Sequence, residues 1–189
     1  MKSKYSLFTR WNGKPCKLRR RRRLMVEILE TKCMLAGTPQ LLADINPGVF
    51  SSAPHEFATL GTTTLFSAND GSSGSELWKT DGTNGGTEMV KDINPGADDS
   101  LPGHLSHYFT NVNGTLFFTA DDGSSGFELW KTDGTTAGTM LVMDINAGSD
   151  NSYPRNLVNV NGTLYFQADN GSAGNELWRG PGIVGQLDP

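Results

Sequence analysis

Two short strings recur along this chain at long, matching intervals, and they restrict its fold more than any other feature. Asp-Ile-Asn begins at Asp44, Asp92 and Asp144, and Glu-Leu-Trp begins at Glu76, Glu128 and Glu176. The first series is spaced 48 then 52, the second 52 then 48, so the first and third copies stand 100 residues apart. Ser52 and Ser152, Pro54 and Pro154, Phe66 and Phe166, Ala68 and Ala168, Gly71 and Gly171, and Gly74 and Gly174 keep the same offset. The middle copy is four residues longer between Pro102 and Asn113, around His104 to Thr110. Such self-similarity marks a tandem array of one supersecondary unit, with copies at 44–91, 92–143 and 144–189.

Each copy reads as four short strands. In the middle one, an apolar stretch ending at Val112 meets Asn113-Gly114, a dipeptide suited to a two-residue type I′ hairpin because both positions tolerate positive φ. The strand Thr115 to Ala120 follows, and the turn-forming run Asp121 to Gly126 leads into a third strand carrying Glu128 to Thr132. Asp133 to Gly138 turns again, Thr139 to Met143 makes a fourth strand, and Asp144-Ile145-Asn146-Ala147-Gly148 links to the next copy. Glycine-bearing turns punctuate the chain too often for helices.

A lone meander of this size leaves one face of its sheet uncovered, yet Leu116 and Phe118 alternate with the equally apolar Phe117. Neighbours must therefore pack on both faces. Four strands in about 50 residues fits a β-propeller blade, with Trp78, Trp130 and Trp178 filling the space between blades. A flatter β-solenoid or a pair of stacked sheets is the alternative. The expectation is an all-β protein of tandem four-stranded antiparallel meanders, about three propeller-like blades in an incomplete ring. Propellers close with four to eight blades, so fewer than three complete units point to a truncated member of a longer array, to assembly of copies, or to open stacking; truncation is the preferred reading.

Charge separates the repeats from what precedes them. Residues 1–37 carry eleven Lys or Arg against two Glu, whereas residues 38–189 carry five against eighteen acids. The basic segment is read as a distinct leader. Its arginine run, Arg19 to Arg23, precedes a stretch interrupted by Glu27, Glu30 and Lys32, which an ordinary secretory h-region would not tolerate. Leu24, Ile28, Leu29 and Leu35 can share one face of a short amphipathic helix able to lie on an anionic membrane. The acidic repeats disfavour nucleic acid as a partner. No apolar run reaches the length of a membrane span, and both cysteines, Cys16 and Cys33, lie in the leader, so no disulfide framework supports the repeats.

Two resemblances follow from these strings. Glu76 to Thr83, repeated at Glu128 to Thr135, is closely similar to the ELWxxDGT repeat family, and the likeness covers about residues 44–179. It implies a large secreted or surface-displayed bacterial protein built of repeat arrays, with no catalytic residues to carry over. The third copy departs, since Arg179-Gly180-Pro181-Gly182 follows Glu176-Leu177-Trp178 and the Asp-Gly-Thr turn is missing. Glu27 to Leu35 resembles the LEPR-XLL N-terminal sorting motif, with Thr31, Lys32 and Met34 where that motif has Pro, Arg and Leu; this implies export or surface sorting.

The candidate chemistry is thin. Asp70, Asp121, Asp122 and Asp169 sit in Gly-rich loops followed by Glu76, Glu128 or Glu176, a set that could ligate calcium weakly, although aspartate before glycine is also what tight turns select. Thr80-Asp81-Gly82-Thr83 resembles the Asp-box turns of sialidase-like propellers, but only Arg155 and Arg179 are available in the repeats to hold an acidic sugar. His104 and His107, with His55 the only other histidine, are too few for a zinc site. Ser73 and Ser125 lie in Gly-Ser-Ser-Gly turns rather than in a nucleophile elbow. Tryptophans invite carbohydrate stacking, and their recurrence at one strand position invites burial instead.

Glu76, Leu77, Trp78, Asp81 and Gly82 are therefore read as structural repeat positions. So are Glu128, Leu129, Trp130, Asp133 and Gly134, and Glu176, Leu177 and Trp178. The function expected is non-catalytic, structural or adhesive, in the secreted fraction or at the cell surface. Surface polysaccharide or other repeat proteins are the expected partners, with no cofactor beyond weak calcium binding. A calcium- or carbohydrate-binding propeller module is the alternative, and a degenerate hydrolase propeller a third.

Overall fold

The computed structural model describes residues 38–104 and 109–180; the leader with its sorting motif, His107 and the last nine residues lie outside the described residues. Three antiparallel sheets follow one another along the chain, and the described residues contain no helix. The first sheet is a meander of β1 (His55–Leu60), β2 (Thr63–Asn69), β3 (Ser75–Thr80) and β4 (Glu88–Lys91). The second contains β5 (Thr110–Val112), β6 (Thr115–Asp121), β7 (Phe127–Thr132) and β8 (Met140–Met143). The third has three strands, β9 (Arg155–Val160), β10 (Thr163–Asp169) and β11 (Asn175–Arg179).

Turn chemistry sets the register. Asn113 and Gly114 both have positive φ, as do Asn161 and Gly162, so each pair closes a two-residue hairpin whose twist matches its strands. The central strands then pair identically in all three sheets: Phe66 lies opposite Trp78, Phe118 opposite Trp130 and Phe166 opposite Trp178.

Because successive side chains point to opposite faces, that register gives every sheet two apolar faces. One carries Phe66, Ala68 and Trp78, or Phe118, Ala120 and Trp130, or Phe166, Ala168 and Trp178; the other carries Leu65 and Leu77, or Phe117 and Leu129. The sheets stack so that unlike faces meet. Leu65, Leu77 and Val90 of the first repeat, with Ile93 of the linker that follows it, pack with Phe109, Leu116, Phe118, Ala120 and Trp130 of the second. Val112, Phe117, Leu129 and Ile145 meet Leu164, Phe166, Ala168 and Trp178 in the same way. Full burial of each large side chain contributes about 1.5–3 kcal/mol, so the core lies between the sheets rather than within any one of them. The expected face-to-face packing of blade-like meanders is the architecture observed, with Trp130 and Trp178 between sheets. Trp78 does not lie between two sheets but packs with Phe66, Ala68, Ile45 and Met89, and the third sheet has three strands where four were expected.

Polar contacts join the same partners. Lys91 donates to the carbonyl of Thr139 (2.9 Å) and the Thr136 hydroxyl to that of Val90 (2.7 Å). Across the second junction, the Asn159 amide donates to the Asn111 carbonyl (2.8 Å) and Thr110 to that of Leu157 (3.1 Å).

Candidate functional site

The glutamate of each Glu-Leu-Trp string is the second residue of a third strand, paired with alanine across the ladder: Ala68 with Glu76 and Ala120 with Glu128. The small partner leaves room for a carboxylate inside. Glu76 and Glu128 are each fully buried, and neither has a basic partner among the described residues; their oxygens are satisfied by amides and a serine hydroxyl of the segment that leads into the following sheet. Glu76 Oε2 accepts from the Ile93 amide (2.7 Å) and the Ser100 hydroxyl (2.6 Å), and Oε1 from the Ser100 amide (3.1 Å). Glu128 repeats this with Ile145 N (3.0 Å), Ser152 Oγ (2.5 Å) and Ser152 N (3.0 Å). Several donors converge on each carboxyl group, which is why one side chain can fix a linker.

The serine is held from its other side as well. Ser100 O accepts from Asp121 N (3.0 Å) and Ser152 O from Asp169 N (2.9 Å), at the ends of β6 and β10. One residue therefore fastens each sheet to the next. Glycine makes the approach possible: a Cβ on Gly74 would lie 2.3 Å from the Asp98 carbonyl oxygen, and one on Gly126 would lie 2.9 Å from that of Asp150. Both glycines also have positive φ.

The third copy keeps the fastening residues, which hold no linker among the described residues. Glu176 is exposed, Leu177 is 78% exposed where Leu77 and Leu129 are buried, and a Cβ on Gly174 would meet no atom within 4 Å. Trp78 and Trp130 are buried and Trp178 is half-buried, its Nε1 donating to Ala168 O (2.9 Å). The rings thus form no open stacking platform.

The acidic turns are occupied internally. Asp70 Oδ1 accepts from the amides of Ser72 and Ser73 (both 2.8 Å) and from the Ser72 hydroxyl (2.9 Å), and Asp122 does the same with Ser124 and Ser125. Asp81 and Asp133 accept from the amide and hydroxyl of Thr83 and Thr135, which brace the turns opened by Gly82 and Gly134. Asp121 and Asp169 close the same loops through Gly123 N and Gly171 N. Glu76 and Glu128, grouped with these loops as calcium ligands on sequence grounds, point instead into the linker bonds. Among the described residues no three of His, Cys, Asp and Glu converge as a metal site. The rings of His55 and His104 meet edge-on at 6.4 Å. A groove of about 320 Å³ between the first two sheets is lined by Leu60, Lys79, Asp81, Glu88 and Asp133, with no aromatic ring.

Sequence reasoning passed over one signal that identifies the fastening. Glu76 precedes Ser100 by 24 residues and Glu128 precedes Ser152 by 24, although the overall spacing of the copies varies. A constant separation across a variable repeat is what a direct contact requires.

Burial raises the Glu76 carboxyl to about 7, against the bonds from Ser100 and Ile93, which favour its charged form; nearby Asp92 adds to the rise. Burial raises Glu128 as well. For Asp70 and Asp122 burial also pushes upward, but the serine bonds outweigh it and hold both below the usual value of 3.8. Glu76 binds more protons folded than unfolded, so its stabilisation is complete below pH 4.5 and is lost as pH rises through about 7, and Glu128 acts in the same direction. The depressed aspartates act oppositely, losing theirs as pH falls below 3.8. Thermal stability is therefore expected to peak at about pH 4–5 and to fall towards pH 8. Melting curves across that range check this, and E76Q should flatten the fall above pH 4.5.

Comparison of the chain with protein-family models, with curated proteins and with solved structures returned no match.

Proposed function

We propose that this is a non-catalytic repeat protein of the ELWxxDGT kind, exported or displayed at a bacterial surface, with a structural or adhesive role. The observation that carries the reading is where the recurring side chains go. Glutamate, leucine and tryptophan hold sheet to sheet, and Asp81 and Asp133 hold turns, so the recurrence follows from stacking. The basic leader with its sorting-motif likeness supports export, and the repeat strings support the family. No helix among the described residues is long and apolar enough to cross a membrane.

The competing binding-module reading makes a different prediction. Titration calorimetry with calcium and with a panel of surface polysaccharides is expected to give no heat with calcium and no rise in melting temperature. Ligand at about 100 times its Kd would stabilise the fold by about 2.7 kcal/mol, a rise of several degrees. A calcium-dependent rise of that size would overturn the structural reading. A leader-reporter fusion retained in the cytosol would remove the surface assignment.

A further inference from the structure

Four Asn-Gly steps lie among the described residues: Asn84-Gly85, Asn113-Gly114, Asn161-Gly162 and Asn170-Gly171. Glycine puts no side chain beside its own nitrogen, so attack of that nitrogen on the asparagine side-chain carbonyl is limited by whether the turn holds the amide elsewhere. Three of the four are held. Gly114 N donates to Asn111 Oδ1 (2.9 Å), Gly162 N to Asn159 Oδ1 (2.9 Å) and Gly171 N to Asp169 Oδ1 (2.8 Å). Asn113 and Asn161 are also fixed at positive φ in their hairpins, and Asn170 Oδ1 accepts from the amides of Ser172 and Ala173. Asn84-Gly85 differs. Both residues are exposed, neither has a positive φ, and among the described residues Gly85 N has no acceptor. The step lies in the turn between β3 and β4, where the second repeat has Thr136-Ala137. Thr136 bonds there to the carbonyl of Val90, and Asn84 makes the corresponding bond in the first repeat, its Nδ2 donating to Leu42 O (3.1 Å).

We infer that Asn84 is a site of spontaneous deamidation, and that the change unlatches residues 41–44 from the first sheet. The Gly85 nitrogen attacks Cγ of Asn84: the N–Cγ bond forms, the Cγ–Nδ2 bond breaks, and the glycine amide proton leaves on ammonia. Water then opens the cyclic imide at either carbonyl, giving aspartate or isoaspartate, with nothing oxidised or reduced. Both products end the latch. A carboxylate has no hydrogen to offer the Leu42 carbonyl, and isoaspartate adds a methylene to the main chain inside a turn that the bond from Thr87 N to Asn84 O (3.2 Å) closes. Release stops at Ile45, which packs with Phe66, Ala68 and Trp78. The inference rests on the geometry of the turns and holds whether or not the surface role does.

Peptide mapping of the full chain, aged in mildly alkaline buffer and scored for the amide-to-acid mass change and for isoaspartate, tests it. Asn84 is expected to convert at least about tenfold faster than Asn113, Asn161 or Asn170, because those three must first open locally at a cost of about 1.4 kcal/mol or more. G85A should slow the conversion at least about tenfold without changing the melting temperature, since the added Cβ would meet no atom within 4 Å and Ala137 occupies the same place in the second repeat. N111A frees the Gly114 amide and should speed conversion at Asn113. In limited proteolysis, N84D should be nicked between residues 41 and 44 several-fold faster than the parent chain, because cleavage follows the population of the open form. Equal conversion at all four steps overturns the inference. So does an Asn84 that stays intact while the same chain converts it in urea, or an N84D variant nicked no faster than the parent.

Discussion

Replacing Glu128 by alanine is expected to destabilise the repeat region by roughly 3 kcal/mol, while the same change at Glu176 shifts it by less than about 0.5 kcal/mol in dilute solution. The contrast is instructive because both residues open the same Glu-Leu-Trp string. Alanine at 128 leaves the amides of Ile145, Asn146 and Ser152 without this acceptor and the Ser152 hydroxyl with only its longer bond to the Phe127 carbonyl (3.4 Å). Each stranded donor costs about 1–3 kcal/mol, and relief of the desolvation that raises the Glu128 pKa offsets part of the total. Against a usual domain stability of about 5–15 kcal/mol, the third sheet should separate before the rest. Urea melts followed by tryptophan emission would show this as an early transition reporting Trp178. Equal effects at Glu128 and Glu176 would mean that the linker bonds do not hold the sheets together.

A comparable loss, about 3–5 kcal/mol, is expected for Phe118→Ala. Phe118 is wholly buried, touches the ring of Phe109 (centroids 5.0 Å) and packs with Leu65 and Leu77 of the preceding sheet. Its removal opens a cavity at the junction rather than inside one sheet, so the first and second repeats should lose their common unfolding transition. Phe57→Ala, at the exposed counterpart of Phe109, should change stability by less than about 1 kcal/mol under dilute conditions. Chemical denaturation of the two variants beside the parent chain measures both, and a small effect at Phe118 would remove the case for stacking as the source of stability.

Much of this architecture was readable from the residues. Asn113-Gly114 and the glycine-bearing loops fixed the hairpins, and alternating Leu116, Phe117 and Phe118 declared a sheet covered on both sides; Leu116 and Phe118 do go to one junction and Phe117 to the other. Those features are local or of period two, and short-range patterns reveal them. The role of Glu76 and Glu128 was harder to read, because their backbone partners carry no sequence signal and their side-chain partners, Ser100 and Ser152, are marked only by the constant 24-residue separation. A carboxylate beside Asp-rich turns reads as a cation ligand until the fold shows which way it points. Asp81 and Asp133 were legible as turn residues because their partners, Thr83 and Thr135, lie two positions away.

The direction of the glutamate bonds has a consequence for synthesis. Glu76 and Glu128 each reach forward 24 residues, so a strand leaving the ribosome carries a carboxylate whose partners have yet to emerge from the exit tunnel. Each nascent sheet has its predecessor as a finished template, and ordering passes from the N-terminus onward in step with translation. Growth of this kind keeps a single unfinished edge at the tip of the emerging polypeptide, and a ribosome that stalls partway leaves every earlier repeat already sealed.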